Sequence, residues 1–236
     1  MVNKKRVICV IPARGGSKGL PRKNIKLIGG EPLITRAINH AKASGVIDVI
    51  LVTTDDKEIA DIARKSGAEV PFIRPDNLAE DLSTTEETLQ HALLTYEDIN
   101  KLHFDLCVFL TATDIFRDPM WIKKGVEILI SNPKLESVFS GHNTHKNFWE
   151  QQPDGSWVRL REWMSKYSSR QIRRAIVRED TGLMSVSRAF LWREGRRIGD
   201  NVEIITNDDD FTGIDIHQQE DLDLANFALK LRKESS

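Results

Sequence analysis

Residues Arg6–Asn24 read RVICVIPARGGSKGLPRKN, an apolar run followed at once by glycines and a crowd of cations. Val7–Ile11 has no polar alternation, the mark of a strand covered on both faces. The run ends at Pro12, which cannot donate to a ladder. Gly15, Gly16 and Gly19 then allow positive φ and let a ligand approach backbone N–H groups closely. Arg14, Lys18, Arg22 and Lys23 concentrate positive charge in the same loop, and Ser17 and Asn24 add neutral hydrogen-bonding groups. Backbone donors and fixed cations at the carboxyl end of a buried strand suit a triphosphate. The pattern is neither GxxxxGK[ST] nor GxGxxG, which disfavours P-loop ATPases and dinucleotide oxidoreductases. Composition alone would equally describe a solvated basic turn; the position after a strand favours phosphate.

Outward from this loop, short apolar runs alternate with amphipathic stretches. Leu33–Ser44 reads as a helix closed by Gly45, Val49–Thr53 as a strand, and Asp55–Ser66 as a helix closed by Gly67. Val70–Ile73 reads as a short strand, Thr84–Tyr96 as a helix, Leu106–Leu110 as a strand and Met120–Ile130 as a helix. This order predicts an α/β fold, a doubly wound and mostly parallel sheet in one domain over residues 1–236. The loops after Ile11, Val52 and Leu110 should line one crevice. From 142 to about 174 the periodicity is lost, and Phe148, Trp149, Trp157, Trp163 and Tyr167 crowd together. That stretch reads either as an inserted arm against a second subunit or as an excursion packed on its own core. Gly182–Val186, Val202–Ile205 and Phe211–Ile216 read as strands, and Glu220–Leu231 as a final helix.

The 236 residues carry 34 Lys+Arg against 35 Asp+Glu, a net charge of -1, which argues against nucleic acid as a partner. The N-terminal apolar run is shorter than the ~7–15 residues of a signal core or the ~20 of a membrane span, so no membrane partner is expected. Cys9 and Cys107 both sit in apolar runs, as core thiols of a cytoplasmic protein would.

The segment Arg14–Asn24 closely resembles the ARxxSKGLPxKN opening of the acylneuraminate cytidylyltransferases, the CMP-sialic acid synthetases. VTTDD (Val52–Asp56), RPDNLAEDLSTTEET (Arg74–Thr88), SRQIRRAIVREDTG (Ser169–Gly182) and FTGIDIHQQEDLDLA (Phe211–Ala225) extend the resemblance over nearly the whole chain. It implies a Rossmann-like nucleotidyltransferase with a small dimerisation insertion and a homodimeric state. The activity it implies is transfer of CMP from CTP to an acidic 2-keto-3-deoxy sugar. Arg14, Lys18, Lys23 and Asp215 would be catalytic. Arg14, Gly15, Ser17, Lys23, Asn24, Ser83 and Thr84 would meet the nucleotide, although Ser83 or Thr84 equally suits a helix capping box. Thr111, Thr113, Arg117, Arg170, Gln171 and Arg178 would meet the acid.

The chain departs from that family's pattern at three places. Thr111 stands where a glutamine is common, Asp114 where a small neutral residue is common, and His217 where the second acid of a D-x-D pair is common. The pair holds Mg²⁺ in the family, so Asp215 and His217 are the expected ligands for Mg²⁺, or for the softer Mn²⁺. At the end of the strand read over Phe211–Ile216, residues 215 and 217 share a face, because strand side chains repeat every second residue. The altered residues also admit legionaminate, pseudaminate or a phosphonate as acceptor, or a nucleotide-binding homologue without turnover.

Overall fold

β1 (Val7–Pro12) is buried at five of its six positions, and the two sets of alternating side chains face different helices. The computed structural model describes residues 5–80, 83–166, 169 and 171–234. After β1 comes a small hairpin, β2 (Leu27–Ile28) and β3 (Glu31–Pro32), then α1 (Leu33–Ala43), β4 (Val49–Thr53) and α2 (Lys57–Lys65). α3 (Thr85–Asn100), β5 (Leu106–Phe109), α4 (Pro119–Ser131) and β6 (Ser137–Thr144) follow. A second hairpin pairs β7 (Trp149–Gln151) with β8 (Trp157–Arg159), and β9 (Ile176–Glu179) returns to the sheet. The chain finishes with β10 (Ser185–Arg188), α5 (Ala189–Arg193), β11 (Val202–Asn207) and α6 (Gln219–Glu234).

The main sheet runs β11-β6-β10-β5-β1-β4, with β9 also paired to β6. β4, β1 and β5 are mutually parallel, β10 is antiparallel to both β5 and β6, and β11 is parallel to β6. Val7, Cys9 and Ile11 pack with α1, α2, α4 and α6, whereas Ile8 and Val10 pack with α3 and α5. Period-2 side chains therefore feed two helical layers, as the doubly wound expectation requires.

Local sequence explains where elements begin and end. Asp56 accepts from the Ile59 N–H at the start of α2, and Asp118 caps α4 with Pro119 in the first turn. Gly45 and Gly67, at φ 69° and 84°, end the first two helices as expected. Two expected strands did not form. At 70–73 no pairing is made, and only the preceding Glu69 bridges to Leu51, because Pro71 removes a ladder donor. Phe211–Ile216 is a 3-10 turn over Asp210–Gly213, followed by one antiparallel bridge between Asp114 and Asp215. Thr212 donates back to the Asp209 carbonyl at 2.7 Å, a local bond that curls the chain before a ladder can extend.

The stretch from 142 to 174 is neither wholly irregular nor wholly sheet. Its first residues finish β6, and the β7–β8 hairpin stands off the main sheet. Trp149 and Trp157 are 47% and 60% exposed, with Val158 and Leu160 open beside them. Arg159 stacks 4.2 Å over the Trp149 ring. Among the described residues no helix is long and apolar enough to cross a membrane.

Candidate active site

The parallel strands β1, β4 and β5 end at one edge of the sheet, where antiparallel β10 begins. Over this edge opens a cleft of about 430 Å³. Arg14, Ser17, Lys18, Gly19, Lys23 and Asn24 of the glycine-rich loop line it. Ser83 and Thr84 meet them from the start of α3, Thr111 and Thr113 from the loop after β5, and His217 from the segment before α6. The crevice expected beyond the strand ends is therefore present, and these expected residues converge on it.

The loop owes its shape to a few contacts. The Asn24 amide, 6% exposed, donates to the Arg14 carbonyl at 2.9 Å and closes the loop on itself. A Cβ on Gly19 would lie 2.5 Å from the His217 carbonyl oxygen, so glycine lets the loop press against the Asp215–His217 segment. Gly19→Ala should separate the two, lowering turnover more than thermal stability; unchanged steady-state kinetics would contradict this. Arg22, in the left-handed region at φ 57°, turns away to pair with Asp56 and Glu58. Gly15 requires a correction: it does not line the cleft, and its N–H donates to Asp55 Oδ1 at 3.0 Å. The first turn of the loop folds onto the end of β4, leaving that donor spent.

Charge in the cleft is mainly positive, with Arg14, Lys18, Lys23 and Arg74 in its lining against Glu80. Burial pushes the Lys23 ammonium below its ordinary pKa, Asp215 opposes this, and Arg14 adds to the depression. Asp215 Oδ2 lies 2.8 Å from His217 Nε2, while its Oδ1 is buried with no hydrogen-bond partner. The two side chains thus meet, although through a turn and not along a strand face. Asp221 accepts the N–H groups of His217 and Gln218 at 2.8 and 2.9 Å, which caps α6 and holds its carboxyl below the usual range. Among the described residues no three His, Cys, Asp or Glu side chains gather as a metal cage.

Other expected residues are differently employed. Thr84 forms a capping box with Glu87 at the start of α3, and Ser83 donates to the Asn77 carbonyl at 2.7 Å. Their hydroxyls therefore border the cleft while shaping its wall. Thr111 Oγ1 donates to Asp114 Oδ2 at 2.5 Å, and Thr113 is buried. Arg117 is 5% exposed and lies outside the cleft lining. Its Nε donates to Leu183 O at 2.6 Å, and its Nη2 to Thr111 O and Gly182 O at 2.6 and 2.9 Å. It ties the loop after β5 to the approach of β10. Arg178 forks onto Asp180 at 2.7 and 2.9 Å and borders a second cavity of about 770 Å³. Gln171 is exposed and borders neither cavity; Arg170 and Tyr167 lie outside the described residues.

Arg74 is a site residue that motif reading passed over. It is 4% exposed, lines the cleft, and its Nε and Nη2 have no hydrogen-bond partner. Asp55 Oδ1 is 3.5 Å from Nη2, close enough for attraction but long for a hydrogen bond. Burial depresses the guanidinium's pKa, with Asp55 opposing. Buried donors left unpaired are costly, and a ligand's acceptor atoms would satisfy them. The sequence signal was an arginine directly before Pro75, at the end of the third apolar run.

A family model described as Cytidylyltransferase matches residues 8–195. The pseudaminic acid cytidylyltransferase of Campylobacter jejuni subsp. jejuni serotype O:2 is 38% identical over 126 residues, 53% of this chain and 53% of that protein. CMP-N,N'-diacetyllegionaminic acid synthase of Legionella pneumophila subsp. pneumophila is 42% identical over 123 residues, 52% of this chain and 53% of that protein. The matched stretch spans about half the length of these curated relatives. A solved CMP:2-keto-3-deoxy-manno-octonic acid synthetase complexed with CTP superposes with a TM-score of 0.71 at 15% identity, covering 97% of this chain and 100% of that one. At that identity the likeness shows the fold, a Rossmann-like nucleotidyltransferase sheet. A glycine-rich cationic loop at the end of β1, set on that sheet and matched from residue 8 to residue 195, makes this chain a member of the cytidylyltransferase family.

Proposed function

We propose that the protein transfers CMP from CTP to the anomeric hydroxyl of an acidic 2-keto-3-deoxy sugar and releases pyrophosphate. The acceptor we favour is a nonulosonic acid of the pseudaminic or legionaminic type rather than sialic acid. The observation that carries the reading is the convergence of Arg14, Lys18 and Lys23 on a cleft walled by buried Arg74. The two relatives named for pseudaminic and legionaminic acid support the acceptor class, as does Thr111 where the sialic acid enzymes commonly have glutamine.

In this reading the anomeric oxygen forms a bond to the α-phosphorus as the bridge to the β-phosphate breaks, and the hydroxyl proton passes to solvent. Arg14, Lys18 and Lys23 hold the phosphates in line and take up the charge that builds on pyrophosphate. Arg74, in the cleft wall with two unpaired donors, would meet acceptor atoms of the nucleotide. Ser17 and Asn24 keep the loop closed around the nucleotide, while Ser83 and Thr84 wall it. Asp215, with its orphaned Oδ1, would help to hold a Mg²⁺ or Mn²⁺ ion, an oxygen-seeking partner of carboxylates and phosphates. Such an ion, when bound, neutralises phosphate charge and lowers the pKa of the attacking hydroxyl. The second cavity, with Lys146, Arg173, Arg178 and two imidazoles against Asp210, suits the acid's carboxylate. Arg178 is forked onto Asp180 and Arg173 donates to Asn147, so Lys146 carries more of that role than motif reading gave it. The exposed Trp149, Trp157, Val158 and Leu160 support a homodimer whose arm, about 142–174, covers them on the second copy.

The deciding experiment measures pyrophosphate release from CTP with a panel of nonulosonic acids, Kdo and a phosphonate, with Arg74→Met as a control for nucleotide binding. Turnover with pseudaminic or legionaminic acid is the expected result. Turnover with sialic acid alone would correct the acceptor, and CTP binding without release on any acid would mark a nucleotide-binding protein instead.

A further inference from the structure

The missing second acid at position 217 has a counterpart elsewhere in the fold. Asp114 and Asp215 face each other across a single antiparallel bridge, which sets opposed side chains on the same side with Cβ atoms ~4.5–5.5 Å apart. Two of the three departures from the family's pattern, an acid gained at 114 and an acid lost at 217, therefore fall beside Asp215. Asp114 is held firmly: Thr111 Oγ1 donates to its Oδ2 at 2.5 Å, and the Thr111 N–H donates to Gly182 O at 2.9 Å. A Cβ at position 182 would lie 2.1 Å from Asp114 Oδ2, so the carboxylate occupies room that a glycine leaves open. Across the bridge, Asp215 Oδ1 is buried without a partner, an arrangement that calls for a positive ligand.

The pair also stands in the right place. The charge of Asp114 acts on Lys23, which lines the 430 Å³ cleft, and on Arg178, which borders the 770 Å³ cavity. Asp114 itself lines neither cavity; Thr111, which donates to it, lines the cleft that the functional reading gives to CTP. His217 is engaged in another way. Its Nε2 meets Asp215 Oδ2, its backbone N–H enters the α6 cap, and its ring is largely exposed. A neutral imidazole is besides a poor partner for an oxygen-seeking ion.

We propose that Asp114 supplies the second carboxylate, with Asp215, for the divalent ion that accompanies CTP, and that His217 only positions Asp215. This rests on the cytidyl-transfer reading. The test is calorimetric and needs no turnover: CTP affinity is measured with EDTA and with Mn²⁺, and the ratio is the coupling between metal and nucleotide. Wild type should show Mn²⁺ tightening CTP by about tenfold or more, and His217→Asn should need more Mn²⁺ yet still show the enhancement once the ion is saturating. Asp114→Asn and Asp215→Asn should lose that enhancement, each read as its own ratio of affinity with Mn²⁺ to affinity with EDTA. If the amide does not fold, Asp114→Ser provides the same comparison. Undiminished enhancement in Asp114→Asn, or its loss in His217→Asn, overturns the proposal, as does wild-type CTP binding that Mn²⁺ leaves unchanged. Failure of the wild type to bind CTP under any condition would instead overturn the functional reading itself.

Discussion

Lys23→Ala is expected to lower kcat/KM for CTP by about 10²–10³-fold, with most of the loss in kcat. Lys23 lies half-buried beside Arg14 and within reach of Asp215 and Asp114. Burial strips water from its ammonium, so the charge is poorly screened and acts strongly on any phosphate above it. Removing it leaves two carboxylates facing the nucleotide with less to oppose them. Charge that builds on pyrophosphate during bond cleavage should suffer more than ground-state binding, hence the weight on kcat. Lys23→Arg should recover part of the loss by restoring the charge at a different height. Steady-state kinetics decide the matter: a rise in KM with unchanged kcat would reduce Lys23 to uniform binding of CTP.

The second large effect is structural. Arg117→Met should cost about 3 kcal/mol or more, because it strands three buried carbonyl contacts at once. For a chain of this size that corresponds to a fall in Tm of about 6–12 °C, read by thermal unfolding. Burial pushes the Arg117 guanidinium down to about 10, with Asp114 opposing, so it remains charged at neutral pH and its bonds are charge-assisted. The variant should also slacken the loop that carries Thr111 and Asp114, blunting turnover in the fraction still folded. A Tm within about 2 °C of wild type would mean that the loop repacks and that Arg117 is not its anchor.

These two residues stand on either side of what sequence reading can reach. Lys23 belongs to a loop whose meaning is local: a buried strand, three glycines and four cations in one short stretch. Chain connectivity alone puts such a loop at a strand end. Arg117 looked like a substrate arginine because its motif neighbours did. Its actual partners, Leu183 and Gly182, are distant in sequence, and nothing along the chain announces them. The segment Phe211–Ile216 shows the same limit, since its apolar alternation suits a strand while the Thr212 hydroxyl and a lack of further pairing make a turn.

What the sequence determined by itself was the doubly wound sheet, the helix ends at Gly45 and Gly67, the glycine-rich cationic loop at a strand end and its family resemblance. Each depends on periodicity or on residues a few positions apart, where backbone stereochemistry fixes the outcome. Only the tertiary structure decided that β10 runs antiparallel, that Gly15 gives its N–H to Asp55, and that Arg74 is buried with donors unspent. It alone also set Asp114 opposite Asp215. Those outcomes depend on which distant segments share a sheet edge, and packing of the whole core, not local propensity, selects them.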